Sequence, residues 1–324
     1  MCTAITFNPN GHYFGRTLDL EYHYNETVTV TPKGFDFKFD EKPVFKNRYS
    51  IIGMATVSDK YPLYYDAMNE KGLSIAGLNF PGNAVYNDKK EGLDNIAPFE
   101  LIPWILSQCK DINEAQELLS TVNLVNRNFS DSLPLSPLHW IVADKGRALT
   151  IEPMEDGLKI YENDVGVLTN NPPFLFHIYN LQNYLNLSNF DPEINLRIQN
   201  GQLYSKGLGA FGLPGDLSSA SRFIRAAFVK SNSVCENTKA AEINQFFHIL
   251  GSVEQQRGCV KVNDDYKLTV YTSCCDLDEG VYYYTTYENP TINGVSLFNE
   301  NLTSTRLISY PLLEQGNINT QNAR

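Results

Sequence analysis

The chain has 324 residues, 42% of them hydrophobic and 19% charged, a composition typical of a globular protein. Its formal net charge of −11 and pI near 5.0 argue against nucleic acid as a partner, because phosphate binding needs clustered cations. The N-terminus lacks the features of a secretory signal, and Pro172-Pro173 interrupts the longest uncharged stretch, 165–190. We therefore predict a cytoplasmic protein without membrane insertion.

Strand and helix signals follow one another along the chain without strict alternation. Apolar or alternating runs predict strands at 2–8, 12–16, 26–32, 50–57, 73–78, 138–143, 148–153, 165–169, 266–272 and 280–287. Apolar periodicity and capping signals predict helices at 98–109, 111–122, 219–230 and 239–250. The polar stretch 34–48 is predicted to be a surface loop. Because the helices come in pairs between runs of strands, two antiparallel sheets covered by helices fit better than a parallel sheet.

No linker, repeat or low-complexity tract divides the chain. We therefore predict one α+β domain spanning 2–324, with Met1 removed. The six cysteines match no zinc-binding spacing, so we expect free thiols in a reducing cytosol, with no metal and no cofactor.

The second residue is a cysteine, and its position has a chemical consequence. Methionine before a small residue is commonly removed after synthesis, which would leave Cys2 with both a thiol and a free α-amine. A nucleophile needs a neighbouring base, and an N-terminal residue brings its own. Since the two groups titrate near ~8.5 and ~8, a fixed cation nearby favours the reactive form of each. Arg16 is the candidate cation, and Asp19 is the candidate that orients the amine. The alternative for Cys2 is a buried packing residue.

Cysteine–histidine catalysis is the rival mechanism. His139 and His248 lie in apolar contexts typical of packing residues, and His12, His23 and His177 lie in predicted loop or edge positions. No sequence feature singles out one histidine as a base, and the α-amine makes such a base unnecessary.

Seven short motifs occur along the chain in this order: Met1-Cys2-Thr3, Phe14-Gly15-Arg16-x-x-Asp19, Met68-Asn69-Glu70-Lys71-Gly72-Leu73, Gly77-Leu78-Asn79-Phe80-Pro81, Leu168-Thr169-Asn170-x-Pro172, Leu213-Pro214-Gly215-Asp216 and Ser221-Arg222-Phe223. Together they resemble the choloylglycine hydrolase family, which contains bile salt hydrolases and penicillin V acylases. The resemblance covers nearly the whole chain. It implies the fold of the N-terminal nucleophile hydrolases, a four-layer αββα sandwich of two antiparallel sheets flanked by helices.

The resemblance also implies a catalytic set, which this sequence has as Cys2, Arg16, Asp19, Asn79, Asn170 and Arg222. In the family's pattern, removal of Met1 exposes the nucleophile, the first arginine lies against the thiol and the aspartate holds the amine. The two asparagines surround the attacked carbonyl, where neutral donors suit a tetrahedral oxyanion. Thr17 replaces an asparagine common in the family, outside this set. Without the resemblance, Arg225 would be an equal candidate for the role of the second arginine.

The same resemblance bears on the substrate. Asparagine at position 79 tends to mark bile salt hydrolases, whereas tyrosine there tends to mark penicillin V acylases. Leu18, Tyr22 and Tyr24 fall where the family lines its acyl pocket, and large apolar walls suit a steroid. The alternative for these three residues is an ordinary core or surface role.

The resemblance thus implies hydrolysis of glycine- or taurine-conjugated bile salts by a homotetramer. The alternatives are penicillin V acylase or N-acyl-homoserine lactone acylase activity on the same scaffold. A non-catalytic protein that binds apolar ligands is the alternative from a different class, and it requires Met1 to persist.

Overall fold

The computed structural model describes residues 1–39, 42–193 and 205–322. The strands are β1 Cys2–Phe7, β2 Tyr13–Leu20, β3 Thr27–Thr31, β4 Asp36–Phe39, β5 Lys42–Lys46, β6 Ile51–Ser58, β7 Tyr61–Asn69, β8 Ser74–Asn79, β9 Asp94–Ile96, β10 Val122–Leu124, β11 Leu138–Ala143, β12 Ala148–Met154, β13 Gly157–Glu162, β14 Val167–Leu168, β15 Val260–Val262, β16 Asp265–Asp276, β17 Val281–Thr286, β18 Asn293–Ser296 and β19 Ile308–Pro311. The α-helices are α1 Leu101–Leu106, α2 Ile112–Leu119, α3 Phe174–Leu181, α4 Ser219–Asn232 and α5 Lys239–Gly251.

The first sheet carries the N-terminal strand in its interior. Its strand order is β14–β1–β2–β16–β17–β18, with β15 paired to β16, and all of these pairings are antiparallel. The β1–β2 hairpin sets Cys2 opposite Leu18 and Ala4 opposite Arg16. Because side chains alternate along a strand, Cys2 and Arg16 project from the same face of this sheet.

The second sheet has the order β13–β12–β11–β8–β7–β6–β3–β19, and its pairings are also antiparallel. Strand β8 lies in its centre and ends at Asn79, which pairs with Leu138 on β11. Asn79, about a quarter of the way along the 324-residue chain, therefore lies at the end of a central strand of the sheet that faces β1.

Two hydrophobic clusters show how the layers stack. One combines residues of both sheets, such as Ala4 and Met68, with Phe223 of α4 and Phe246 of α5. The other combines residues of the second sheet, such as Ile75, with Trp104 of α1 and Ala115 of α2. Helices α4 and α5 therefore cover the first sheet, and α1 and α2 cover the second. The predicted αββα sandwich is confirmed.

The stretch predicted to be a surface loop, 34–48, instead contains the antiparallel pair β4–β5. In β4 exposed and buried residues alternate, and Phe37 is completely buried. The loop prediction was wrong because charged residues between the phenylalanines masked a period-2 pattern. Residues 40 and 41 of that stretch lie outside the described ranges.

Several further elements were absent from the sequence prediction, namely helix α3 and strands β7, β9, β10, β13, β15, β18 and β19. The single domain predicted for 2–324 stays a prediction, and its last two residues lie outside the described ranges. Among the described residues, none of the helices combines the length and apolar character needed to cross a bilayer.

Candidate active site

Cys2 lies buried between the two sheets and interacts electrostatically with Arg16. The Arg16 guanidinium crosses to the second sheet, where Nη1 donates to Gly77 O at 2.5 Å and to Tyr65 O at 3.3 Å. Nε donates to Thr17 O. Within the described part of the chain, Nη2 of Arg16 is buried without a hydrogen-bond partner. Backbone carbonyls thus hold this cation in place and leave one of its donors uncommitted.

A carboxylate that sequence reasoning missed accompanies Arg16. Asp66 on β7 is fully buried and accepts hydrogen bonds from the hydroxyls of Tyr271, Ser273 and Tyr282 on the first sheet. Burial raises the pKa of Asp66, although Arg16 opposes the shift. Burial lowers the pKa of Arg16, but Cys2, Tyr271 and Asp66 outweigh it, and the net shift is upward. The signal for Asp66 was a lone acidic residue within an apolar strand.

With Met1 in place, the N-terminus extends β1 by one residue. The Met1 amine donates to Asp19 O at 2.8 Å, and Asp19 N donates to Met1 O at 3.0 Å. Burial lowers the pKa of this amine, while Cys2 and Asp19 oppose the shift. The carboxylate of Asp19 accepts hydrogen bonds from the hydroxyls of Thr269 and Thr17 instead of from the Cys2 nitrogen. Asp19 is therefore close to the N-terminus, with its carboxylate held by two threonines.

The side chain of Asn170 is the direct partner of the Cys2 nitrogen. Cys2 N donates to Asn170 Oδ1 at 2.8 Å, and Asn170 Nδ2 donates to Asn79 O at 2.7 Å. Sequence reasoning placed the Asn170 amide against the oxyanion. In this structure Asn170 Nδ2 donates to Asn79 O, and Asn170 Oδ1 accepts from the nitrogen of Cys2, the residue that would become the N-terminus.

Arg222 completes the same network from the N-terminal turn of α4. Its Nη2 donates to Asn170 Oδ1 at 2.7 Å, and its Nη1 donates to Cys2 O at 2.5 Å and to Thr3 Oγ1 at 2.7 Å. Burial lowers the pKa of Arg222, and within the described ranges its hydrogen-bond partners are all neutral oxygens. Arg225 instead donates to Pro214 O, before α4, and to Ser252 O, after α5. Arg222, and not Arg225, contacts Cys2.

The remaining predicted residues differ in how they face the site. Asn79 is partly buried at the end of β8, and no hydrogen bond of its side chain occurs among the described residues. Leu18 is buried directly opposite Cys2. Tyr22 and Tyr24 follow β2, are more exposed, and pack with ring centroids 5.0 Å apart.

Two histidines contact the backbone of Thr169 and Asn170. His139 contacts Thr169 O and His177 contacts Asn170 O, and both rings are fully buried. The sequence placed His177 in a loop or at an edge, which was wrong, because it lies on the buried face of the unpredicted helix α3. The packing role predicted for His139 is incomplete, since both ring nitrogens have polar partners.

All six cysteines are free thiols in this structure. In the ranges that the structure describes, no three His, Cys, Asp or Glu side chains are grouped in a way that could hold a metal ion.

Comparison with known proteins gives concordant results. The family model described as linear amide C–N hydrolases, choloylglycine hydrolase family, matches residues 2–310. The bile salt hydrolase/transferase of Lactiplantibacillus plantarum is 54% identical over 96% of this chain and 97% of its own length. The protein of that name from Clostridium perfringens is 37% identical over 99% of this chain and 100% of its own.

Solved structures agree with the sequence relatives. A mutant of the conjugated bile acid hydrolase from Clostridium perfringens superposes with a TM-score of 0.92 at 36% identity, covering 99% of this chain and 100% of that one. Penicillin V acylase from Agrobacterium tumefaciens superposes with a TM-score of 0.76 at 17% identity, covering 95% and 90%. The second likeness concerns the fold alone.

Proposed function

Since this chain belongs to the choloylglycine hydrolase family of linear amide C–N hydrolases, we propose that it hydrolyses the amide bond of glycine- or taurine-conjugated bile salts. The observation that carries the proposal is the Cys2 N–Asn170–Arg222 network, which holds the nitrogen of a buried second-position cysteine. The relative from Lactiplantibacillus plantarum, named for bile salt hydrolysis, supports the choice of substrate.

The proposed reaction begins with removal of Met1, which converts the Cys2 nitrogen from an amide into an amine. The thiol proton passes to this amine, and the thiolate attacks the carbonyl carbon of the substrate, forming a C–S bond. When the tetrahedral intermediate collapses, the C–N bond breaks and the α-ammonium protonates the departing glycine or taurine. Water then attacks the thioester while the amine takes its proton, which releases the bile acid and restores the thiol.

The structure supports a division of labour among the proposed catalytic residues. Arg16 is held by backbone carbonyls, its Nη2 has no hydrogen-bond partner among the described residues, and its positive charge interacts with Cys2. Asn79, whose side chain is not committed to a hydrogen bond in the described residues, is our candidate donor to the oxyanion. Asn170 holds the Cys2 nitrogen and Arg222 holds Asn170. Asp19 acts on the amine through its charge.

For the acyl pocket we propose Leu18, Tyr22, Tyr24 and Asn79. Leu18 provides an apolar surface directly opposite the nucleophile, and the two tyrosines are accessible at the end of the same strand. This arrangement suits a bulky apolar acyl group entering from the β2 end of the hairpin. Penicillin V and N-acyl-homoserine lactones also carry apolar acyl groups, so they are the competing substrates in the test below.

We also propose that the enzyme is a cytoplasmic homotetramer. Free thiols at all six cysteines are consistent with a reducing compartment. Large apolar side chains are strongly exposed on α3 and in the segments after it, namely Phe176, Tyr179, Leu185, Phe190 and Phe211. Exposed large apolar side chains are typical of a subunit interface where they group into one surface. Size-exclusion chromatography with light scattering gives the oligomeric state directly.

The test of the proposed function combines intact mass with release of the amino acid. Wild type and Cys2→Ser are incubated with glycocholate, taurocholate, penicillin V and an acyl-homoserine lactone. We expect a wild-type mass without methionine, release of glycine or taurine, and no turnover by the serine variant. A processed enzyme that hydrolyses only one of the other two substrates would refute the bile salt assignment. Activity in a chain that retains Met1 would refute the amine as base, and a chain that retains Met1 and is inactive on all four substrates would favour the non-catalytic binding role.

A further inference from the structure

Two buried histidines hold two consecutive backbone carbonyls of the segment that carries Asn170. His139 Nε2 lies 3.0 Å from Thr169 O, and His177 Nε2 lies 2.9 Å from Asn170 O. A carbonyl oxygen can only accept a hydrogen bond, so each Nε2 carries a hydrogen and donates it. We call His139 and His177 the carbonyl clamp. One of the two comes from β11 of the second sheet and the other from α3.

The ring of His139 is itself fixed on two sides. Its Nδ1 lies 3.1 Å from Glu152 Oε1 on the neighbouring strand, and both side chains are completely buried. Its ring stacks on Phe80 with centroids 4.2 Å apart and planes within 6°. Phe80 directly follows Asn79. Glu152 Oε1 also accepts from the backbone N–H of Phe174, where α3 begins. The first member of the clamp is therefore tied to β8, β12 and α3.

The second member is fixed in a similar way. His177 stacks on Phe223 with centroids 4.9 Å apart, and Phe223 directly follows Arg222. Nδ1 of His177 is buried without a hydrogen-bond partner in the described residues. Burial lowers the pKa of His177, which agrees with a neutral ring that donates from Nε2 and leaves Nδ1 bare. His177 therefore serves as a neutral donor and not as an acid or base.

His139 thus packs on Phe80, next to Asn79, and donates to the carbonyl of Thr169, next to Asn170. His177 packs on Phe223, next to Arg222, and donates to the carbonyl of Asn170 itself. We propose that His139 and His177 are positioning residues of the active site. They fix the Thr169–Asn170 backbone so that Asn170 Oδ1 stays on the Cys2 nitrogen while that nitrogen acts as the base. Neither histidine reaches the substrate. This inference rests on the proposed function, because it assigns the histidines a role in the same chemistry.

The rival explanation is that the two rings only fill space. A pair of variants at His177 separates the two roles. His177→Phe keeps an aromatic ring against Phe223 and removes the donor, whereas His177→Gln loses the ring and returns an N–H donor close to the position of Nε2. If the hydrogen bond matters, glutamine preserves more activity than phenylalanine. If packing matters, the order is reversed.

Turnover is measured per functional site, with sites counted by stoichiometric alkylation of Cys2 and folding checked by thermal unfolding. We expect His177→Phe to lower kcat about 10- to 100-fold with KM unchanged, since displacements near 1 Å at a reacting group have effects of this size. We expect His177→Gln to stay within about threefold of wild type. His248, exposed on α5, provides the matched control, and both substitutions there leave kcat unchanged.

A His177→Phe enzyme with wild-type kcat per site overturns the positioning role, and so does a glutamine variant less active than the phenylalanine variant. If His177→Phe does not fold, the same pair of substitutions at His139 decides between the roles by the same order of activities. A wild type that hydrolyses no amide refutes the proposed function and takes this inference with it. A fully active wild type with indifferent histidine variants refutes this inference alone.

Discussion

Replacement of Asn170 tests how the candidate site is built. Its side chain makes hydrogen bonds of 2.8 Å with Cys2 N, 2.7 Å with Arg222 Nη2 and 2.7 Å with Asn79 O. Two neutral hydrogen bonds contribute about 1 kcal/mol each and one to a charged group about 2 kcal/mol, so Asn170→Ala should lower the unfolding free energy by about 4 kcal/mol. Urea denaturation measures this loss. Asn171→Ala is the matched control, because Asn171 makes one exposed hydrogen bond to Pro81 O.

Substitutions of Asn170 also distinguish between two roles that its side chain could have in catalysis. If Asn170 acts through its NH₂ group on the oxyanion, then Asn170→Asp and Asn170→Ala should be equally poor, since neither keeps the donor. If it acts through Oδ1 on the Cys2 nitrogen, Asn170→Asp keeps the acceptor and should retain more activity than Asn170→Ala, for which we expect about a 100-fold fall in kcat. Rates are compared at the pH optimum of each variant. Equal inactivity of the two would refute the role that we infer from the hydrogen bonds, and a loss of stability below about 1 kcal/mol in Asn170→Ala would refute the energetic argument.

Two further predictions concern the frame around the site. A Cβ at Gly15 would lie 2.0 Å from Ser273 O on the adjacent strand. Gly15→Ala should therefore lower the unfolding free energy, measured by urea denaturation, by about 3 kcal/mol. Gly146→Ala is the control, because a Cβ there would lie 3.8 Å from its nearest neighbour, and it should change the unfolding free energy by less than about 0.5 kcal/mol. Equal effects would contradict the steric reasoning. Burial lowers the pKa of Lys230 from 10.5 to about 8. Between pH 8 and pH 10.5 the unfolded chain therefore binds more protons at this residue than the folded chain does, so this residue's contribution to stability rises with pH. The unfolding free energy of wild type minus that of Lys230→Met should rise with pH across this window. A flat difference across that window, measured by urea titrations, would contradict the shift.

The elements that position Cys2 and Arg16 could be predicted because their causes are local. A turn signal at 9–11 between two strand-like segments sets up a hairpin, and strand alternation then sends Cys2 and Arg16 to one face. The sandwich follows from the same kind of information, since helix pairs between runs of strands leave few ways to bury both sheets. Strand β4 was missed because the charged residues Asp36 and Lys38 alternate with its two buried phenylalanines. They lowered the average apolar character of the stretch, although its alternation was intact.

The partners of each polar group could not be predicted in this way. Asn170 lies 168 residues from Cys2, 91 from Asn79 and 52 from Arg222 along the chain, and only the packed layers bring them together. A family motif can indicate that Asn170 belongs to the site, but it does not say which end of the amide faces which atom. The same holds for Asp66, whose three hydroxyl donors all come from the opposite sheet.

A neutral acceptor at the Cys2 nitrogen has a chemical advantage in the mechanism that we propose. A carboxylate in direct contact with the α-amine would favour its protonated form and so weaken it as a base. Asn170 Oδ1 can hold one N–H of the amine without adding charge, which leaves the lone pair free to take the thiol proton. The Asp19 carboxylate, held by the hydroxyls of Thr17 and Thr269, is near enough to steady the ammonium when it forms but is not its direct partner here. In the proposed mechanism, orientation by an amide and stabilisation by a restrained carboxylate are therefore separate tasks.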